Sequence, residues 1–261
     1  MKRNLSGLYF LIMAGLSIMG CSIKEDRDVC PCWLEIEMGL VDSVKFENVS
    51  LELQSGQGFH EELDVDRASC GGSVVVQVPR SGVSVAAYAV PGGRLQAFGG
   101  VVIPEGESCP PVYMFNDYVE TAGDYRVDTV RLHKNYSLIS VYMENDSGNL
   151  PFSVEVTGNV CGYTGEGELL PGRFAVMNEL TDDGMCYISV PRQNDPSLVL
   201  SLVDDDGTVR DFALGHYIAS SGFDWTAPDL EDIEVTINFA LSQLTVEVNE
   251  WEIKNVFSVT I

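Results

Sequence analysis

Apolar residues recur at every second position of this chain, in short runs, and that period restricts it to β-structure. Leu34, Ile36 and Met38 alternate with Glu35 and Glu37; Val49, Leu51 and Leu53 alternate with Ser50 and Glu52. The first half continues with Val74, Val76, Val78 and with Val83, Val85, Ala87, Ala89. The second half carries Phe152, Val154, Val156; Cys186, Ile188, Val190; Leu198, Leu200, Leu202; Ile233, Val235, Ile237, Phe239; and Leu244, Val246, Val248. Side chains on a strand alternate between faces, so each run buries one face of a sheet and wets the other. Gly, Pro, Asn and Asp bound the runs, as they bound strands. No window of about 12 residues or more has a 3.6-residue period with a cap at each end. Asp206-Gly207 and Thr181-Asp182-Asp183-Gly184 read as tight turns, in which glycine takes positive φ at little cost.

Many short antiparallel strands imply sandwiches rather than one barrel. A sandwich takes about 100–120 residues, so 261 residues leave room for two. The polar, non-alternating stretch Glu120–Tyr125 is the expected boundary, dividing an N-terminal sandwich (30–125) from a C-terminal one (126–261) whose first strand begins near Val127. No Pro/Gly/Ser-rich linker separates them, so close packing is expected.

Acids outnumber bases by 39 to 15, for a formal charge of −24. Phosphate recognition needs clustered Lys and Arg, so a nucleic-acid partner is excluded; the acidic surface serves solubility. Lys2 and Arg3 precede an apolar run, Leu8–Met19, that is too short to span a bilayer, which takes about 20 residues. The run ends Ile18-Met19-Gly20-Cys21, which resembles a bacterial lipobox. Residues 1–20 are therefore expected to be a lipoprotein signal peptide, Cys21 the lipidated residue and 21–29 a tether. One acyl chain binds membrane only marginally, and the two or three of a lipoprotein make a durable anchor. Ser22-Ile23-Lys24-Glu25-Asp26 is similar to the Lys-plus-acidic tag that sends lipoproteins of the Bacteroidetes to the outer face of the outer membrane.

Six further cysteines, Cys30, Cys32, Cys70, Cys109, Cys161 and Cys186, are disulfide candidates in an exported chain, with 15 full pairings open. Placement within the halves favours Cys161 with Cys186, leaving Cys30 and Cys32 to reach Cys70 and Cys109. Cys30-Pro31-Cys32 is too closely spaced for a redox CxxC motif or a zinc knuckle.

Signs of catalysis are sparse. His60, His133 and His216 each stand alone in the sequence, and no HExxH, GxSxG, Walker or GxGxxG motif occurs. Gly162–Gly167 has the glycines of a phosphate loop without its lysine, and Asp204–Gly207 opens like a calcium loop without the closing Glu; both read as turns. Neither an enzyme nor a metal or cofactor is expected. Trp33 and Trp251 sit in alternating segments and read as sheet packing, whereas Trp225, in a loop, is the tryptophan open to a ligand such as a glycan.

The lipobox, the Lys-Glu-Asp tag and Cys30-Pro31-Cys32 running into Trp33-Leu34-Glu35-Ile36 together resemble the start of the FimB-like fimbrial anchor lipoproteins of the Bacteroidales. The segments Val127–Leu132 and Leu138–Met143 are similar to the opening of that family's second domain, and Ile233–Phe239, Leu244–Val248 and Trp251 to its ending. Leu132-His133-Lys134 departs from it, an arginine being usual after the strand. The resemblance implies two tandem transthyretin-like (Greek-key) β-sandwiches, a lipid anchor in the outer membrane and a shaft partner, a major fimbrillin-type subunit, held by β-strand exchange. It also implies a way to tell anchor from shaft, because shaft precursors lose their first strand to an arginine-specific protease. Here no arginine lies between Arg27 and Arg67, so strand Trp33–Met38 stays. The donor would be the C-terminal segment with Val256, Phe257, Val259 and Ile261, which could equally pair within its own half. A surface glycan-binding lipoprotein and a tip adhesin contacting host ligands are the alternatives.

Overall fold

The computed structural model describes residues 30–95, 99–144, 152–238, 243–248 and 253–258. Residues 1–29, with Cys21, and Phe239, Trp251, Val259 and Ile261 lie outside the described residues. The first-half strands are β1 (Cys32–Glu37), β2 (Asn48–Gln54), β3 (His60–Asp66), β4 (Ser73–Val78), β5 (Val83–Ala89), β6 (Gly100–Val102), β7 (Tyr113–Val119), β8 (Tyr125–Thr129) and β9 (His133–Lys134). Next come β10 (Tyr136–Glu144), β11 (Phe152–Thr164), β12 (Leu169–Glu179), β13 (Met185–Pro191), β14 (Val199–Asp204) and β15 (Val209–Phe212). A short helix α1 (Leu214–Ser220) precedes β16 (Ile233–Asn238), β17 (Gln243–Val248) and β18 (Ile253–Ser258). The fold is an all-β sandwich.

Among the described residues, four sheets enclose two cores. Sheets β4-β1-β8 and β3-β2-β5-β7-β9 hold the first, built from the alternating rows of β1, β2 and β5, with Leu34, Ile36, Leu51 and Leu53 fully buried. Sheets β12-β11-β14-β15 and β13-β10-β16-β17-β18 hold the second, with Val141, Ile188, Leu200, Val235 and Val246 fully buried. Helix α1 contributes Leu214 and Ile218 to that core. The two expected turns form. Gly207 (φ 82°) donates its N–H to Asp204 O between β14 and β15, and Gly184 (φ 74°) donates to Thr181 O between β12 and β13.

The halves interlock more than the alternation suggests. Ser50 and Glu52 were the polar face of β2, yet they are only 3% and 2% exposed. The other face of the β2–β5–β7 sheet also packs on protein, because Ala86, Tyr88 and Met114 belong to the second core. β6 crosses over to pair with β11, and the Tyr88 hydroxyl donates to Thr164 O.

The expected boundary is corrected here. The strand near Val127 does not open the second half: β8 pairs in parallel with β1, Trp33 opposite Tyr125 and Glu37 opposite Thr129, and Val130 packs in the first core. β9 then pairs with β7, so the chain leaves the first half only at Asn135. Most of that polar stretch, residues 120–124, is a loop that leads into β8, which begins at Tyr125.

β8 carries one misplaced charge. Asp128 stands opposite Ile36 on the inward side, and its Oδ2 is buried without a donor. Burial pushes its carboxyl pKa above the ordinary value, against the hydrogen bond from Thr129 N. A folded-state pKa raised above the unfolded one penalises folding at pH values above both, and the penalty fades as pH falls through the folded value. Asp128→Asn is therefore expected to raise the melting temperature at pH 7, and the gain should disappear below the carboxylate range. Thermal melts across pH check this.

Candidate functional site

Two strand positions bear on strand exchange. Among the described residues β18 ends the sheet β13-β10-β16-β17-β18 and bonds to β17 alone, with Leu244 opposite Phe257 and Val248 opposite Ile253. The Phe257 ring lies 4.6 Å from the ring of Tyr217 on α1, while Val256 is 56% exposed. Of the expected donor residues, then, Val256 and Phe257 lie in a strand paired within its own half. Compare β16, bonded on both sides and carrying three fully buried side chains, Ile233, Val235 and Ile237. Detaching β18 gives up one ladder, at about 1 kcal/mol net per hydrogen bond, and one half-buried aromatic ring. β18 is the cheaper of the two to move.

The second position is β1. It is the middle strand of β4-β1-β8, antiparallel to β4 and parallel to β8, and the Trp33 amide adds a bond to Asp124 O at 2.9 Å. Cys32, Leu34, Ile36 and the adjoining Met38 are fully buried. Removing β1 would leave β4 and β8 as facing open edges over an uncovered core, the geometry that accepts an incoming strand. The loop after β1 is pinned: the Arg67 guanidinium donates to Met38 O (2.8 Å) and Val41 O (3.3 Å). On the outer face of this sheet Trp33 and Tyr125 are neighbours, both about half exposed, with the Tyr125 hydroxyl donating to the Glu35 carboxylate. Trp33 thus packs on a sheet, as expected, but on its solvent side.

Trp225 is half-buried rather than presented. Its ring meets Phe223 edge-on at 4.6 Å and packs on the second core. The neighbouring residues Thr226, Ala227 and Pro228 line a cleft of about 460 Å³ at the junction of the halves, together with Asn116, His133 and Arg192. Arg192 organises that wall. Its guanidinium donates to Asn135 Oδ1 (2.9 Å), to the carbonyls of Ala227 (2.8 Å) and Pro228 (3.0 Å), and to that of Trp225. Its backbone N–H donates to the Tyr163 hydroxyl, which in turn donates to Asn135 O. Nothing in the sequence marked Arg192, since its partners are carbonyls from more than 30 residues away. Arg192→Leu leaves three carbonyls without their donor and should cost about 2–3 kcal/mol. Arg192→Lys should recover little, because an ammonium cannot span the fork. Denaturant titration of the three proteins checks both.

Among the described residues no disulfide joins the six cysteines. Cys32 belongs to the first core and Cys109 to the second, and Cys161 packs its sulfur against Gly172 while Cys186 points into the second core. Cys70 accepts a hydrogen bond from Arg67 at 2.9 Å, and Cys30 is exposed. Burial raises the pKa of Cys32 and Cys109 and pushes Cys186 up to about 11, which disfavours their thiolates.

No protein-family model and no curated protein sequence matches the chain. Its fold, however, is that of a class of all-β proteins solved from Bacteroides and Porphyromonas. A candidate polysaccharide-binding protein of Bacteroides thetaiotaomicron superposes with a TM-score of 0.61 at 12% identity, over 88% of this chain and 98% of that one. The fimbrial anchor protein Mfa2 of Porphyromonas gingivalis superposes at 0.57 and 12% identity, over 85% and 98%. A candidate adhesin of B. thetaiotaomicron does so at 0.56 and 14% identity, over 89% and 100%. At these identities the likeness is one of fold, along nearly the whole of each chain.

Proposed function

We propose that this protein is the lipid-anchored terminal subunit of a strand-exchange fimbria, of the FimB-like anchor kind. In this reading Cys21 carries the lipid in the outer membrane, residues 21–29 are the tether, and two transthyretin-like sandwiches meeting near Asn135 form a pedestal on the cell surface. The segment from β18 onward engages the first shaft subunit. The role needs no catalytic step and no cofactor. The observation that carries it is β1, held between β4 and β8, with no arginine from residue 28 to residue 66 at which a protease could release it. A chain that keeps its own first strand has no vacant slot and can end a polymer without extending it.

The test is expression in a Bacteroidales host with and without Cys21→Ala. Long fimbriae should stay on cells carrying Cys21 and appear in the medium with the variant. If no polymer associates with either protein, the fimbrial reading fails. Glycan binding is the second reading, favoured by the half-exposed Trp33 beside Tyr125 on the outer face of a sheet. Aromatic faces of that kind stack on sugar rings, and quenching of tryptophan fluorescence by polysaccharides would support it.

A further inference from the structure

Strands β2 and β3 form a hairpin in which Glu52 stands opposite Glu62 and Gln54 opposite His60. Alternation along the strands puts Glu52, His60 and Glu62 on one face, the face turned toward the second half. The His60 Nε2 lies 3.1 Å from Glu52 Oε1 and 3.3 Å from Glu62 Oε1, and the three donor atoms lie within 4.8 Å of one another. We propose that these three side chains form a binding site for one divalent transition-metal cation, Zn²⁺ fitting best.

The argument begins with Glu52. Its side chain is 2% exposed, and among the described residues no lysine or arginine lies within ion-pair distance of it. It accepts hydrogen bonds from Gln54 Nε2 and from the Gly99 amide at 3.0 Å, both uncharged donors. Carboxylates buried to this degree are usually paired with a cation or bound to a metal. A neutral imidazole supplies a hydrogen bond but no charge. Space is also reserved for this carboxylate, because a side chain at Gly165, in the β11–β12 turn, would start 2.4 Å from Glu52 Oε1. The group is thus fixed from three directions, and the Oε1 that accepts from Gln54 also faces His60.

The spacing fits a small cation. Zinc bonds to nitrogen and carboxylate oxygen are about 2.0–2.2 Å, which makes the edges of a coordination tetrahedron about 3.3 Å long. The two separations from His60 Nε2 are of that length. Two carboxylates and a neutral imidazole also carry the charge that a divalent ion cancels. Calcium fits less well, since it takes six to eight oxygens and this set includes a ring nitrogen. His60 is 48% exposed and Glu62 38%, so an ion could enter from solvent and keep a water as its fourth ligand. A bound ion would fasten the outer edge of the first half to Glu52 at the junction. The inference is independent of the fimbrial reading.

The contrary account is a protonated His60 bridging two carboxylates with no metal. Calorimetric titration of the chelator-treated full chain with Zn²⁺ separates the two. One equivalent should bind, and His60→Ala and Glu62→Gln should each weaken binding by about tenfold or more. Both residues face solvent on an edge strand, and melts without metal confirm that the variants fold. Co²⁺ should give the visible bands of a nitrogen–oxygen site without a near-ultraviolet thiolate band. Absence of saturable binding, binding unchanged in both variants, or a thiolate band placing the ion on the cysteines would each overturn the proposal.

Discussion

Deleting Val256–Ile261 is expected to abolish capture of a shaft subunit while both cores stay folded. Among the described residues β18 has one strand neighbour and contributes a half-buried Phe257, whereas β17 keeps Leu244 and Val246 against the core by itself. The expected stability loss is about 2–4 kcal/mol, from part of one ladder and one aromatic contact, within the 5–15 kcal/mol of an ordinary domain. Far-UV circular dichroism and a cooperative melt should therefore persist, and co-purification of the shaft subunit should fall to background. Collapse of the fold would assign these residues to the core of their own half and remove the donor reading. Phe257→Ala is the milder companion, since it loses the Tyr217 contact and leaves the strand.

Cutting the chain between β1 and β2 should have the largest effect on the first half. Val44, in that loop, is 88% exposed, so a protease recognition sequence placed there is accessible and disturbs little packing. The nicked protein should hold β1 through its two ladders until mild denaturant releases it. Five buried side chains leave with it (Cys32, Leu34, Ile36, Met38 and Val41), at about 1.5–3 kcal/mol each for the larger ones. That sum approaches the whole stability of a domain, so the stripped first half should unfold and a peptide spanning residues 30–44 should restore it. A stripped protein that stays folded without peptide would show that β1 fills no slot, and the distinction between ending and extending a polymer would go with it.

Strands with one wet face were legible because burial imposes a two-residue period, and β1, β4, β13, β16 and β17 lie where that period placed them. β3 escaped notice because His60-Glu61-Glu62-Leu63-Asp64-Val65-Asp66, an edge strand, buries little besides Val65. β12 was hidden by Pro171 and Gly172 within its span, and the seven residues of α1 are too few for a helical period. The boundary was misplaced for a different reason. β8 has the local look of a beginning, and its partner β1 lies 92 residues earlier, a distance that no local pattern records. The site followed the same rule. His60 looked solitary until the β2–β3 hairpin brought Glu52 to it, and Arg192 gained meaning only from the carbonyls folded around it.

The parallel pairing of β1 with β8 also sets an order of events in time. In each half the opening strand waits for a late one: Glu37 meets Thr129 across 92 residues, and Glu144 of β10 meets Asn238 of β16 across 94. Such distant contacts demand loop closure before they return any energy, which slows folding toward the millisecond-to-second range. As the chain is threaded from its N-terminus, β1 precedes β4 and β8 and stays unpaired on one side until β8 has followed. For that interval it is an apolar strand with an open edge, prone to pair with other chains. The whole stretch from Cys32 to Thr129 must be present before that edge is covered.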